Sequence, residues 1–267
     1  MKALKDFFGS VFNVLVIIIA LIVGYYIWKY VMGNPINFEG GNPKGHPLEG
    51  NFLGMVYKGG FIVPLLMAIV LTVVTFVIER FISLARATGR GRTSKFLRNI
   101  QNMLNEGKIE EASAACDKQK GSLANVIKAG LYRYNELKRD TTLPNDQKVL
   151  ALQKDLEEAT ALELPMLSKN MVVISTIASI SVLTGLLGTV LGMIRAFGAL
   201  ATQGAPDALA LSTGISEALI NTAFGIAGSL IAILMYNYFS SQIDDMTYKI
   251  DEANFSLVQT FASTLKK

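Results

Sequence analysis

Glu217 is the residue with the clearest chemical potential in this sequence. It is followed by a run, Ala218 to Ile243, that holds no charged residue. A carboxylate within a membrane span costs roughly 3 kcal/mol on insertion scales and marks a functional site by default. Asn221 and Gly225 follow at intervals of four, on the same face of a helix. Thr222 lies five residues on, and Thr189 stands in a second uncharged run, Met171 to Ile194. Counted from Gln203, in the short connection between the runs, Thr189 lies 14 residues back and Glu217 14 residues on. That symmetry predicts similar depth. A carboxylate, two hydroxyls and an amide in apolar surroundings suit a proton or cation path, or a polar seat for a charged partner helix. The competing reading puts Glu217 at the outer membrane surface, because the run after it is long enough to span alone.

Most of the small residues around this site read as packing positions. Gly188 and Gly192 have the spacing of a generic helix-packing motif. Gly188, Asn221 and Gly225 are candidates for pore lining or for packing. Other chemistries are poorly supplied. One cysteine, Cys116, excludes a disulfide within the chain and a cysteine-cluster metal site. One histidine, His46, excludes a multi-histidine site. There is no G-x-x-x-x-G-K-[ST] phosphate loop. No catalytic residue, metal or cofactor is expected. Cys116, in a stretch of small residues, reads as an inert core thiol, and His46 as a solvated loop residue.

These residues need elements to position them, and composition says which. The chain has 267 residues, 51 % hydrophobic and 17 % charged, with a mean hydropathy of +0.39. A soluble chain carries about 25 % charged residues. Four segments are long and apolar enough to span: Val11 to Met32, Phe61 to Ile78, Met171 to Ile194, and Ala218 to Ile243. In lipid every backbone group must be satisfied internally. The expected fold is therefore an all-α membrane protein with four transmembrane helices and a helical cytoplasmic domain. Lys2 and Lys5 also give the first segment the basic start of a signal peptide. Its run exceeds the roughly 7–15 residues of a signal core and no small-x-small site follows, which favours a span.

Orientation follows the basic residues. Arg80, Arg86, Arg90, Arg92, Lys95 and Arg98 follow the second span, with no acidic residue from Ser83 to Ile100. That side is expected to be cytoplasmic, with both termini. The run reads as a topology determinant beside anionic lipid; a nucleic-acid face has no signature here. Gly33 to Lys58, rich in Gly, Pro and Asn, is expected to be an irregular outer loop. The connection Gly198 to Asp207, broken by Gly204-Ala205-Pro206, also falls outside, and there Arg195 stands against the charge rule. The chain divides into an extra amino-terminal span with its loop (1–58), a second span (59–84), a cytoplasmic domain (85–170), a hairpin of two spans (171–241) and a cytoplasmic carboxyl-terminal helix (242–267).

The cytoplasmic part is periodic. Phe96, Ile100, Met103 and Leu104 mark one helix, ended by Gly107. Ile109 to Lys118 forms a second, ended by Gly121. A third runs through Leu123, Ile127, Leu131 and Tyr134. A fourth, capped by Asp146, carries Val149, Leu152, Leu156, Ala159 and Leu162 on one face and is expected to run, kinked at Pro165, into the third span. Met246, Ile250, Ala253, Leu257, Phe261 and Leu265 keep helical spacing past the fourth span. They predict one helix from Leu209 to Leu265, about 85 Å long; a separate surface tail is the alternative.

At the hairpin the sequence resembles the ExbB/TolQ/MotA family of proton-channel motor subunits, most closely its ExbB members. The carrying residues are Gly185-Leu-Leu-Gly-Thr-Val-Leu-Gly-Met-Ile-Arg-Ala-Phe197, Gly214-Ile-Ser-Glu-Ala-Leu-Ile-Asn-Thr-Ala-Phe-Gly225 and Tyr236-Asn237. Gly59-Gly60, Pro64 and Glu79-Arg80 extend the likeness, which covers roughly Gly59 to Ser241. It implies that Thr189, Glu217 and Thr222 line a proton path. It also implies a non-enzymatic homopentamer in a bacterial inner membrane, enclosing an ExbD-like single-span partner and driving a TonB-like protein. A TolQ-like or motility subunit and a non-conducting helical scaffold are the alternatives. The chain departs from the family at Val182 and Ile231, where proline is usual, and in its extra first span.

Overall fold

The computed structural model describes residues 2–43, 45–202 and 208–265. Helix makes up 86 % of it, with no strand among the described residues, as the apolar spans require. Helix α1, Lys2–Tyr26, passes into a π-helical turn, Ile27–Met32. The short α2 is Phe52–Tyr57, and α3 is Ile62–Thr88. Then come α4 (Thr93–Asn105), α5 (Ile109–Gln119), α6 (Ser122–Arg139), α7 (Asn145–Leu167), α8 (Met171–Thr202) and α9 (Ala208–Leu265). Four helical stretches are long and apolar enough to cross a membrane, within α1, α3, α8 and α9. Two compact units form, one from residues 1–78 and 172–236, the other from 79–171 and 237–267.

In the first unit α8 and α9 approach closely because glycines face each other. A Cβ at Gly185 would lie 2.9 Å from the Gly225 Cα and the Asn221 carbonyl oxygen. Ser181 Oγ donates to the Gly225 carbonyl at 2.8 Å, so a buried hydroxyl is satisfied across the same contact. At Val182 and Ile231 both helices continue unbroken, as residues with a free N–H allow. Residues 203–207, including the Gly204-Ala205-Pro206 breaker, lie outside the described residues.

The segment from Gly33 to Lys58 is not an irregular loop. Two 3-10 turns, Pro35–Asn37 and Glu39–Gly41, lead to α2, which Asn51 caps by accepting from Gly54 N at 3.0 Å. Asn37 holds the segment: its amide donates to the Val31 and Met32 carbonyls, each at 2.9 Å, and Asn51 donates to its Oδ1 at 3.1 Å. Trp28 stacks on Tyr57 with ring centroids 4.9 Å apart. Buried polar side chains and stacked aromatics order a segment whose composition suggested only turns.

In the second unit the glycine stops act as expected. Gly107 and Gly121 take φ of +76° and +87° at the ends of α4 and α5. The carboxyl-terminal half of α9 buries Ile250, Ala253, Leu257 and Phe261. Tyr134 packs on Phe261 at 4.6 Å and donates to Thr264 Oγ1 at 3.1 Å. Burial of each such large side chain is worth about 1.5–3 kcal/mol. That burial explains why α9 is one 58-residue helix and not a span with a loose tail.

Helix α7 corrects three expectations. Pro144 is the residue that precedes its first turn, and Asp146 sits within that turn, where its charge favours the helix dipole. The buried face is Lys148, Leu152, Leu156 and Thr160; Val149 and Ala159 are half-buried and Leu162 is 69 % exposed. The helix keeps Pro165 but ends at Leu167, and Asn170 at φ +61° breaks the path to α8. The fully buried Arg80 takes the end carbonyl of Leu167 at 3.1 Å, satisfying a group that a continuous helix would have used itself.

Candidate ion-path site

Three pieces of the first unit meet at the site: α8, α9 and the turn Gly59-Gly60-Phe61 that leads into α3. The contacts Gly192 to Ala218, Gly188 to Asn221 and Gly185 to Gly225 set the hairpin register. They centre it near residue 205, not 203. Thr189 therefore lies level with residues near Asn221, and Glu217 lies about one turn, roughly 6 Å, nearer the connection. The similar depth expected for the two is thus offset by about one turn, because the helix contacts centre the hairpin two residues later than its composition suggested.

The predicted polar residues form two pairs. Thr189 and Thr222 are in direct hydroxyl contact. Thr189 Oγ1 also lies 3.2 Å from the carbonyl oxygens of Gly185 and of Ala218. Each hydroxyl has one proton and two lone pairs, so one donated bond can exchange among these acceptors. Both threonines are half-buried. The two hydroxyls can exchange donor and acceptor roles with each other, while the carbonyls only accept.

Glu217 makes the second pair, with Arg195. A guanidinium nitrogen of Arg195 lies 2.5 Å from Glu217 Oε1, and their side chains are 46 % and 10 % exposed. The guanidinium also stands over the Phe61 ring, 5.4 Å from its centroid, a cation–π contact. Gly60, at φ +77°, lies under the carboxylate, and a Cβ there would collide with Glu217 Oε1. The turn can approach so closely only as glycine.

Asn221 is fully buried and donates from Nδ2 to the Gly59 carbonyl at 2.9 Å, tying α9 to the same turn. Its Oδ1 is buried without a partner. Gly188 packs against the Asn221 side chain and Gly225 against Gly185. Gly188 and Gly225 make contacts within the hairpin, and Asn221 also joins it to the Gly59 turn. Arg195, Gly59 and Gly60 were not among the predicted site residues. Arg195 carried a signal, since a lone arginine beside an apolar hairpin needs a counter-charge. Counted from residue 205, Arg195 lies ten residues back and Glu217 twelve on, within one turn. Among the described residues no group of acidic, histidine or cysteine side chains could hold a metal ion.

Such an arrangement defines a multi-span helical membrane protein with a polar line inside an apolar hairpin. The chain belongs to the MotA/TolQ/ExbB proton channel family, whose sequence profile matches residues 118–252, half of its length. It is similar to the biopolymer transport protein ExbB-like 3 of Synechocystis sp., 41 % identical over 88 residues, or 32 % of this chain and 42 % of that protein. It is also similar to the Tol-Pal system protein TolQ of Pseudomonas aeruginosa, 29 % identical over 117 residues, or 44 % of this chain and 51 % of that one. An ExbB homolog of Methanothermobacter thermautotrophicus is 26 % identical over 205 residues, covering 76 % of this chain and 67 % of its own. The chain thus spans about half the length of the first two relatives.

Proposed function

We propose that this chain is the channel-forming subunit of an ExbB-like motor driven by the proton-motive force. The observation that carries the reading is the contact between the Thr189 and Thr222 hydroxyls inside the hairpin, one turn from the Arg195–Glu217 pair. The protein assembles as a homopentamer in a bacterial inner membrane with both termini cytoplasmic. It surrounds ExbD-like single-span helices, whose own carboxylate takes the proton. The two hydroxyls form the protein side of the proton's path, and Glu217 sets the field at its outer mouth. Proton flow moves the partner helices against the pentamer, and a TonB-like protein carries that work to outer-membrane transporters. The small-residue contacts and the long α9 supply the surfaces for assembly.

Complementation tests the reading. In a strain lacking the native gene, Thr189→Val and Thr222→Val should abolish siderophore-limited growth at normal membrane levels of the protein. Wild-type growth of both variants would refute it. The similarity to a TolQ protein favours a second reading, an energiser of envelope maintenance. In that case the same variants leave siderophore uptake intact and make cells sensitive to detergent.

A further inference from the structure

The basic stretch after the second span is folded into a pocket. In the second unit, the turn after α3, one face of α4 and the end of α5 line an open groove of about 670 Å³. Arg90, Arg92, Lys95, Arg98, Lys118 and Gln119 line it, and no acidic residue does. Among the described residues, none of the five cations has a carboxylate within ion-pair distance. Five like charges gathered without counter-charges repel one another, and the fold gains if an anion joins them.

The backbone under the groove is fixed, while its five basic side chains are exposed. Gly89 at φ +77° leaves no room for a Cβ beside the Lys120 carbonyl, so the turn sits hard against the end of α5. Arg90 N donates to the Gln119 carbonyl at 2.7 Å and fixes that junction. Phe96, on the same helix face, is buried and anchors α4. The Gln119 side-chain nitrogen is a buried donor without an acceptor. Lysines, arginines and an amide donor are the groups that bind phosphate oxygens.

Depth along α3 points to where that phosphate sits. The exposed large apolar residues of α3 end with Phe81 and Ile82. Six further residues reach Thr88, about 9 Å along the axis. The polar headgroup layer beyond the hydrocarbon is about 5–8 Å deep on each side. The mouth of the pocket therefore stands just beyond the far edge of that layer, and long basic side chains reach back into it.

We infer that this groove is a specific site for a phosphate-bearing anion, the headgroup of an anionic phospholipid or a free phosphate. This inference does not depend on ion conduction. The test uses the full chain in nanodiscs of phosphatidylcholine, with and without phosphatidylglycerol. Native mass spectrometry counts retained lipid, and thermal unfolding reports stabilisation. Phosphatidylglycerol should be retained and should raise the midpoint. Lys95→Gln/Arg98→Gln should weaken retention roughly 25-fold, at about 1 kcal/mol per basic residue. Lys138→Gln/Arg139→Gln, at the far end of α6, should leave it unchanged. Inorganic phosphate added to phosphatidylcholine discs distinguishes the sources: a raised midpoint assigns free phosphate, and no effect assigns the lipid headgroup. If the double variant does not fold, Lys95→Gln alone, an exposed side chain, should still weaken retention roughly fivefold. Equal retention by wild type and folded variants, equal loss in the Lys138/Arg139 control, or no response to either anion would overturn the inference.

Discussion

Arg195 and Glu217 stand on opposite arms of the hairpin, with a guanidinium nitrogen 2.5 Å from a carboxylate oxygen. The pair is unequal in burial, because the Glu217 side chain is 10 % exposed while the arginine side chain stays 46 % exposed. Removing the exposed partner strands the buried one. Arg195→Gln should therefore destabilise the protein by about 1–3 kcal/mol, while Glu217→Gln costs less. Arg195→Gln/Glu217→Gln should recover part of the loss. Thermal unfolding of the four proteins in one detergent, treated as a double-mutant cycle, measures this. Additive effects would show that the contact carries no coupling.

Gly60 gives a sterically sharper case. Gly60→Ala adds a Cβ against Glu217 Oε1 at a backbone φ of +77°. Backbone strain of this kind costs on the order of 1–3 kcal/mol. A lower unfolding midpoint is expected, with part of it restored when Glu217 is shortened to alanine. A midpoint equal to wild type would contradict the close approach.

The two threonines should separate stability from transport. Thr189→Val alone leaves Thr222 without its hydroxyl neighbour, and Thr222→Val does the same in reverse. Replacing both partners of a buried hydrogen bond by apolar groups of the same shape is nearly neutral. The double variant should thus unfold closer to wild type than either single variant, within about 1 kcal/mol. If the hydroxyls carry protons, all three variants lose proton uptake into energised vesicles. Retained uptake in the double variant would remove the threonines from the path.

Glu217→Ala carries the functional prediction at the outer end of the site. At normal membrane levels it should abolish energised transport, and Glu217→Asp should retain part of it. Wild-type growth of Glu217→Ala would show that the carboxylate serves only the contact with Arg195.

Cys116 should stay silent to thiol reagents, which makes it a convenient background for topology mapping. Burial, reinforced by the neighbouring Asp117 carboxylate, pushes its thiol up to about 12. At pH 8 only about one molecule in ten thousand carries the reactive thiolate. Because the folded value is raised, the thiol's contribution to stability is complete below about pH 8.5 and declines as pH rises towards 12. Single cysteines at the exposed positions Asn42 and Lys138 should label from opposite sides of the membrane. Labelling of both from one side would refute the proposed orientation.

Local signals were enough for much of this protein. The four spans follow from long apolar runs, because lipid leaves a helix no alternative. The stops at Gly107 and Gly121 follow from residues that accept positive φ at little cost. The single helix of α9 follows from apolar spacing carried past the span to Leu265. Glu217, Thr189 and Thr222 stand out by residue type alone, since polar groups are costly in an apolar run. The pairing of these residues depended on geometry that no local pattern holds. Contacts between glycines on two arms set the register near residue 205, and that register brought Arg195 to Glu217 and Thr189 to Thr222. Gly59 reaches Asn221 across 162 residues of sequence, and Arg80 ends α7 from 87 residues away. Hydropathy and periodicity report what each residue needs from its surroundings; only the packed helices decide which distant residue supplies it.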